Sequence, residues 1–170
     1  MAPVLVRPVV PADHDRWREL HRGYTAFNGV EHTDELSERV WSWLQDPGHE
    51  LEGLVAEAAS GRVVGFAHVR PFVRPLGATT AGFLDDLFVD PEHRGTGVAD
   101  ALLARLRVMA GERGWSMVRW ITSDDNYRAR AKYDQVATRT MLVTYDMAPD
   151  AGDMARPTPA DGTPPPAPGS

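Results

Sequence analysis

The chain contains no cysteine, which excludes a disulfide scaffold, a thiolate nucleophile and a cysteine-held metal. Lys132 is its one lysine, and 18 basic residues face 24 acidic ones for a formal net charge of -6. That balance argues against a general nucleic-acid binder, whose affinity comes mainly from neutralising phosphates. No apolar run approaches the roughly 18 residues a membrane helix needs, and Met1 to Pro11 lacks the basic and then apolar layout of a signal peptide. A cytoplasmic protein with no membrane partner is the expectation. The six histidines, His14, His21, His32, His49, His68 and His93, show neither His-x-x-x-His nor His-Glu-x-x-His spacing, so no metal site is expected. Each reads as a surface or structural residue. No serine stands in a Gly-x-Ser-x-Gly setting, which leaves a serine hydrolase unsupported.

What is present is enough for one hydrophobic core. A length of 170 residues with 42% hydrophobic side chains suits a single domain. Half of the 14 prolines fall from Pro149 onward, among Gly, Ala, Ser and Asp. Such a stretch has no apolar face to bury, so a folded domain over 1–147 and a Pro-rich disordered tail over 148–170 are expected.

Within the domain, Val4 to Val10 reads as a strand, with Asp13 in the N-cap position of a helix carrying Trp17, Leu20, Tyr24 and Phe27. Thr33 caps a second helix with the stripe Leu36, Val40, Trp43 and Leu44, stopped at Pro47-Gly48. Leu51 to Ala59 and Arg62 to Pro71 form a hairpin across Ser60-Gly61. Thr80 to Asp90 is the most apolar strand. A helix marked by Val98, Leu102, Leu106 and Met109 follows it, and Trp115 to Thr122 then forms a strand parallel to the preceding one. Asp124 or Asp125 caps a short helix bearing Ala129, Tyr133 and Val136, and Thr138 to Met147 closes as a last strand. The fold class is α/β: a mixed, mostly antiparallel sheet of six to seven strands flanked by about four helices.

Chemistry concentrates between the apolar strand and its helix, at Val89-Asp90-Pro91-Glu92-His93-Arg94-Gly95-Thr96-Gly97-Val98-Ala99. Glycines let backbone N-H groups approach a ligand, and the unsatisfied amides of a helix's first turn favour an anion such as pyrophosphate. Gly95 and Gly97 serve a plain tight turn equally well. A P-loop is excluded because Gly-Lys-Ser/Thr is absent, and a dinucleotide fingerprint is weakened by Asp100 at its third glycine position.

The segment resembles the acetyl-coenzyme A loop of the GNAT superfamily of N-acetyltransferases, Gln/Arg-x-x-Gly-x-Gly/Ala, through Arg94, Gly97 and Ala99. Leu84-Asp85-Asp86-Leu87-Phe88-Val89 resembles that family's fourth strand, and Asn126, Ala129 and Tyr133 match its Asn-x-x-Ala-x-x-x-Tyr helix. Lys132 and Ala137-Thr138 depart from the usual pattern. The acidic Asp85-Asp86 pair and the aromatic first helix look most like the diamine, polyamine and histone-like amine branch.

The resemblance implies acetyl-CoA as cosubstrate and direct attack of an amine on its thioester. The expected acceptor is the primary amine of a small molecule: a diamine, a polyamine or an amino acid. Protein lysine or N-terminal acetylation and a non-catalytic acyl-CoA sensor are the alternatives. An alkyl amine near pKa 10.4 is free base in only about one molecule in 2,500 at pH 7, so deprotonation is the larger demand. Asp85 or Asp86 answers it, or is a solvated or salt-bridged strand-end carboxylate; strand alternation puts them on opposite faces, and the resemblance implies that Asp85 faces the acceptor. Tyr133 matches the family's general acid, or packs in the core. Leu87, Phe88 and Val89 are expected to pair with the pantetheine as an added strand. Arg94, Gly95, Thr96, Gly97, Val98 and Ala99 are expected to hold pyrophosphate. Asn126 either bonds the pantetheine arm or caps a helix. Trp17 or Tyr24 could border the acceptor entrance, and exposed strand edges permit a homodimer.

Overall fold

The structure, a computed structural model, describes residues 4–149. The chain divides into one unit ending at Ile121 and a second beginning at Thr122. Apart from Ala148 and Pro149, the expected Pro-rich tail lies outside the described residues.

The first unit opens with β1 (Leu5–Pro8), then α1 (His14–Phe27) and α2 (Asp34–Gln45). There follow β2 (Glu52–Glu57), β3 (Val63–Arg74), β4 (Thr79–Val89), α3 (Val98–Glu112) and β5 (Val118–Arg119). The strands form one five-stranded sheet in sequence order, β1-β2-β3-β4-β5. Neighbours are antiparallel up to β4, and β5 lies parallel to β4, as a helical crossover requires.

The sequence fixes most of these elements locally. Thr33 accepts from the Leu36 N-H at 3.1 Å and so caps α2 as expected. Asp13 does not cap α1. Its carboxylate instead takes the Val10 N-H at 2.8 Å and the Arg7 guanidinium. One face of the sheet buries Trp17 and Leu20 of α1 with Val55, Phe66 and Phe88, and Val40, Trp41 and Leu44 of α2 pack against them. Trp43, expected in that stripe, is turned out and stacks on His49. Phe27 is also exposed.

The helix α3 buries Val98, Leu102, Leu106 and Met109. A Cβ on Gly65 of β3 would come within 2.9 Å of the Phe88 carbonyl and 3.0 Å of Val98, so glycine there sets how closely α3 approaches the sheet.

Two strand expectations are corrected. Of Trp115 to Thr122, only Val118 and Arg119 pair with β4. Thr138 to Met147 forms no strand, and Met141, Leu142, Val143, Tyr145 and Met147 are exposed. The sheet therefore has five strands among the described residues rather than six to seven. The second unit contains α4 (Tyr127–Val136). No helix among the described residues is long and apolar enough to cross a membrane.

Candidate active site

The turn between β4 and α3 is built by Asp90 and two glycines. The Asp90 N-H donates to the Val64 carbonyl at 2.9 Å, and its Oδ1 accepts from the Glu92 N-H at 3.1 Å, capping a short 3-10 turn at Pro91–His93. Burial alone would raise the Asp90 pKa, but the Glu92 amide and the Arg16 guanidinium outweigh it and hold the carboxyl below its ordinary value. Gly95 and Gly97 have φ of +82° and +89°, the left-handed region that a side chain disfavours. Gly97 stands at the start of α3, where no side chain caps the helix. The first-turn amides of α3 thus receive no side-chain cap, and the space where a Gly95 Cβ would sit has no neighbour within 4 Å. Arg94 is anchored by Nε to the Val89 carbonyl at 3.3 Å, and its guanidinium lies 5.8 Å from the Phe27 ring centre and 5.6 Å from that of Phe88. Amides without a side-chain cap, an arginine and two glycines held at positive φ thus stand together at this turn.

Immediately before the turn, the outer edge of β4 has no partner strand among the described residues. The strand pairs with β5 only at Gly82 and Phe83, so from Leu84 to Val89 no strand borders that edge among the described residues. An extended ligand can pair there.

The same strand carries a β-bulge. His68 of β3 faces Asp86 and Val69 faces Leu84, so Asp85 is an extra residue on β4. The bulge restarts the alternation of side chains. Asp85 and Asp86 accordingly share the α1 face of the sheet, instead of lying on opposite faces as strict alternation predicts.

Their surroundings differ. Asp85 is paired with Arg70, whose Nε lies 3.2 Å from both carboxylate oxygens with its N-H directed at Oδ1. Asp85 Oδ2 is buried without a hydrogen-bond donor among the described residues. Burial raises the Asp85 pKa, Arg70 opposes the rise, and the Asp86 charge adds to it, for a net upward shift. Asp86 accepts from His68 Nδ1 at 2.7 Å and from Tyr24. Burial works against its charge, but His68 first, then Tyr24 and His21, outweigh it and its pKa is lowered. On the other side of the imidazole, Trp17 Nε1 donates to His68 Nε2 at 3.0 Å. Beside them, burial pushes His21 down to about 4, and its Nδ1 lies 3.0 Å from the Ser37 hydroxyl.

The second unit holds the other two expected site residues. Asn126 Oδ1 accepts from the Ala129 N-H at 3.3 Å, so Asn126, rather than Asp124 or Asp125, caps α4. Tyr133 lies two turns further along that helix, and burial raises its phenol pKa above the ordinary value. The hydroxyl is therefore protonated at neutral pH.

Residues 15–137 match the Acetyltransferase (GNAT) family. The chain belongs to the GNAT acetyltransferases. It is an acetyl-CoA-dependent N-acetyltransferase. Among curated relatives, it is 28% identical over 143 residues to the D-amino-acid N-acetyltransferase of Saccharomyces cerevisiae, covering 84% of this chain and 89% of the relative. It is 32% identical over 121 residues to the aminoglycoside N(6')-acetyltransferase type 1 of Stenotrophomonas maltophilia, covering 64% and 69% respectively. The crystal structure of a ribosomal-protein-alanine N-acetyltransferase from Brucella melitensis biovar Abortus 2308 superposes with a TM-score of 0.70 at 27% identity, over 86% of this chain and 99% of that one.

In this acetyltransferase, the first unit brings Asp85, Asp86, Leu87 to Val89 and Arg94 to Ala99 onto one strand, the turn after it and the head of α3. Sequence reasoning missed His68 and Arg70. One signal for His68 was available: it lies two residues from Phe66 in an apolar strand, so both share the buried face.

Proposed function

We propose that this acetyltransferase acts on the primary amine of a small molecule, with Asp85 and Asp86 as its ammonium site. The observation carrying this reading is that two carboxylates on one face have different partners, Asp85 against Arg70 with Oδ2 lacking a donor and Asp86 against His68, and their pKa values shift in opposite directions, the pattern that separates a proton acceptor from a fixed charge. Asp86, held ionised, attracts the ammonium. Asp85, shifted upward and with Oδ2 lacking a donor, accepts an amine hydrogen and relays the proton to water.

Bound acetyl-CoA supplies the activated thioester. The amides of Gly95 to Ala99 and Arg94 hold its diphosphate, and the open β4 edge from Leu87 to Val89 aligns its pantetheine. As the amine nitrogen bonds to the carbonyl carbon, the carbon-sulfur bond breaks. The Tyr133 phenol gives its proton to the departing thiolate, and Asn126 fixes the start of the helix that carries Tyr133.

An amino acid is the favoured acceptor over a diamine or polyamine. Arg70 meets Asp85 through Nε, and the rest of its guanidinium, on the same face, suits an acceptor bearing its own carboxylate and is misplaced for one with several ammonium groups. The substrate named for the yeast relative agrees with this choice. Thiol release measured with D- and L-amino acids, diamines, polyamines, an aminoglycoside and a peptide with a free N-terminus tests it. Turnover strongest with an amino acid is expected; turnover with the peptide alone would move the protein to the protein-acetylating class.

A further inference from the structure

The Asp85-Asp86 face has an unbalanced charge. Arg70 answers Asp85. Asp86 has no ion pair with an arginine or lysine among the described residues, and it is held by His68 and Tyr24. A half-buried carboxylate that stays ionised without a cation depends on donors to hold it. The identity of the main donor follows from hydrogen-bond logic. An indole N-H can only donate, so His68 Nε2, which receives it from Trp17, carries no proton. The ring's single proton then sits on Nδ1 and points at Asp86 Oδ2. His68 is fully buried, between Phe66, Trp17 and His21, so the ring cannot turn to another partner without emptying that cluster.

We propose that His68 is a positioning residue for the acceptor: locked into its Nδ1-H tautomer by the Trp17 indole, it holds Asp86 as the charged group that receives the substrate ammonium. The chain Trp17, His68, Asp86 carries orientation from the α1 core to the acceptor, with no proton passing along it. A neutral imidazole is suited to this role. A guanidinium at the same place would cancel the Asp86 charge, as Arg70 does for Asp85, whereas an N-H donor fixes the carboxylate and leaves its charge for the substrate.

This inference rests on the proposed function, and two measurements separate their failures. The first needs no turnover. Long-range 15N spectra of the histidine side chains should show His68 with Nδ1 protonated and Nε2 bare. An Nε2-H tautomer in the unaltered protein overturns the proposal. The second uses the amine with greatest turnover. His68→Phe should raise its KM about tenfold or more, the scale expected for losing a hydrogen bond to a charged group, while the KM for acetyl-CoA stays within about twofold. His68→Asn, whose amide N-H can stand in for Nδ1-H, should recover most of the loss. Equal damage in both variants, or parallel rises for amine and acetyl-CoA, makes His68 core packing only and overturns the proposal. Should His68→Phe not fold, Trp17→Phe carries the same KM comparison with a smaller expected rise. Absence of turnover with every amine in the unaltered protein would instead overturn the proposed function, and with it the acceptor role given to His68.

Discussion

Arg16, in the first turn of α1, forms an ion pair with Asp90, the residue that closes β4, and also donates from Nε to the Val63 carbonyl at 2.9 Å. One side chain thus ties the first helix to two strands at the entrance of the turn before α3. Removing the acid leaves the guanidinium with only Glu19 and the Val63 carbonyl and uncaps the turn at once. Asp90→Ala is expected to cost about 1–3 kcal/mol of stability and to weaken acetyl-CoA binding several-fold. Asp90→Asn, which can still accept from the Glu92 amide, should lose less of both. Thermal unfolding and titration calorimetry on the pair check this. A stable Asp90→Ala protein with full coenzyme affinity would show that the turn holds its shape without the cap.

The second prediction concerns Gly97. Its φ of +89° costs a residue with a Cβ roughly 1–2 kcal/mol. Gly97→Ala carries that strain alone, whereas Gly97→Glu adds a negative charge at the head of α3. Acetyl-CoA affinity should fall about tenfold or more in Gly97→Glu and distinctly less in Gly97→Ala, since one charge beside another at short range is worth at least about a kcal/mol. Equal losses would assign the effect to backbone strain, and an unchanged affinity in Gly97→Glu would place the diphosphate elsewhere.

Tyr133 offers a cleaner separation of chemistry from packing. Tyr133→Phe removes one oxygen and keeps the ring. With the phenol as general acid, kcat should drop about 100-fold while acetyl-CoA affinity stays within about twofold of the unaltered protein. Because burial raises the phenol pKa, its ionisation should produce no alkaline loss of rate below about pH 10. Unaltered turnover in Tyr133→Phe would leave the ring as packing.

The turn and its flanking elements were legible in the sequence because their signals are local. Glycines at left-handed positions, a proline ending the strand and the 3.6-residue stripe from Val98 to Met109 do not depend on what lies across the core. The bulge at Asp85 was not legible, since alternation along one strand contains no record of its neighbour's register, and an added residue changes the face of everything beyond it. The role of His68 was hidden for the same reason: its partners Trp17 and Asp86 lie 51 and 18 residues away. Thr138 to Met147 shows the opposite failure. Met141, Val143, Tyr145 and Met147 alternate as a strand should, but a ladder needs a bordering edge, and periodicity cannot report one.

The last prediction concerns acid stability and the start of the chain. Arg7 spans two acids: its Nη1 and Nη2 hold the Asp13 oxygens at 2.7 and 2.9 Å, and its Nε reaches Glu57 at 2.8 Å. Asp13 also receives the Val10 N-H at 2.8 Å, which fixes the turn into α1. Burial alone would raise the Asp13 pKa, yet Arg7 and the Val10 amide together lower it. A carboxyl whose folded pKa is depressed contributes its stability above the unfolded value of about 3.9 and loses it as the pH falls from there through the folded pKa, because the unfolded chain takes the proton first. Asp13→Asn keeps the shape and removes the charge. It should cost about 1–3 kcal/mol at pH 7, and the gap to the unaltered protein should narrow as the pH is lowered below about 4. Comparing the two proteins at each pH cancels the distant acids Asp86 and Asp90, which titrate in both. Denaturant melts at pH 7, 5, 4 and 3 supply the measurement. A gap that stays constant across that range would mean that the fork to Arg7 works through geometry, with charge contributing nothing.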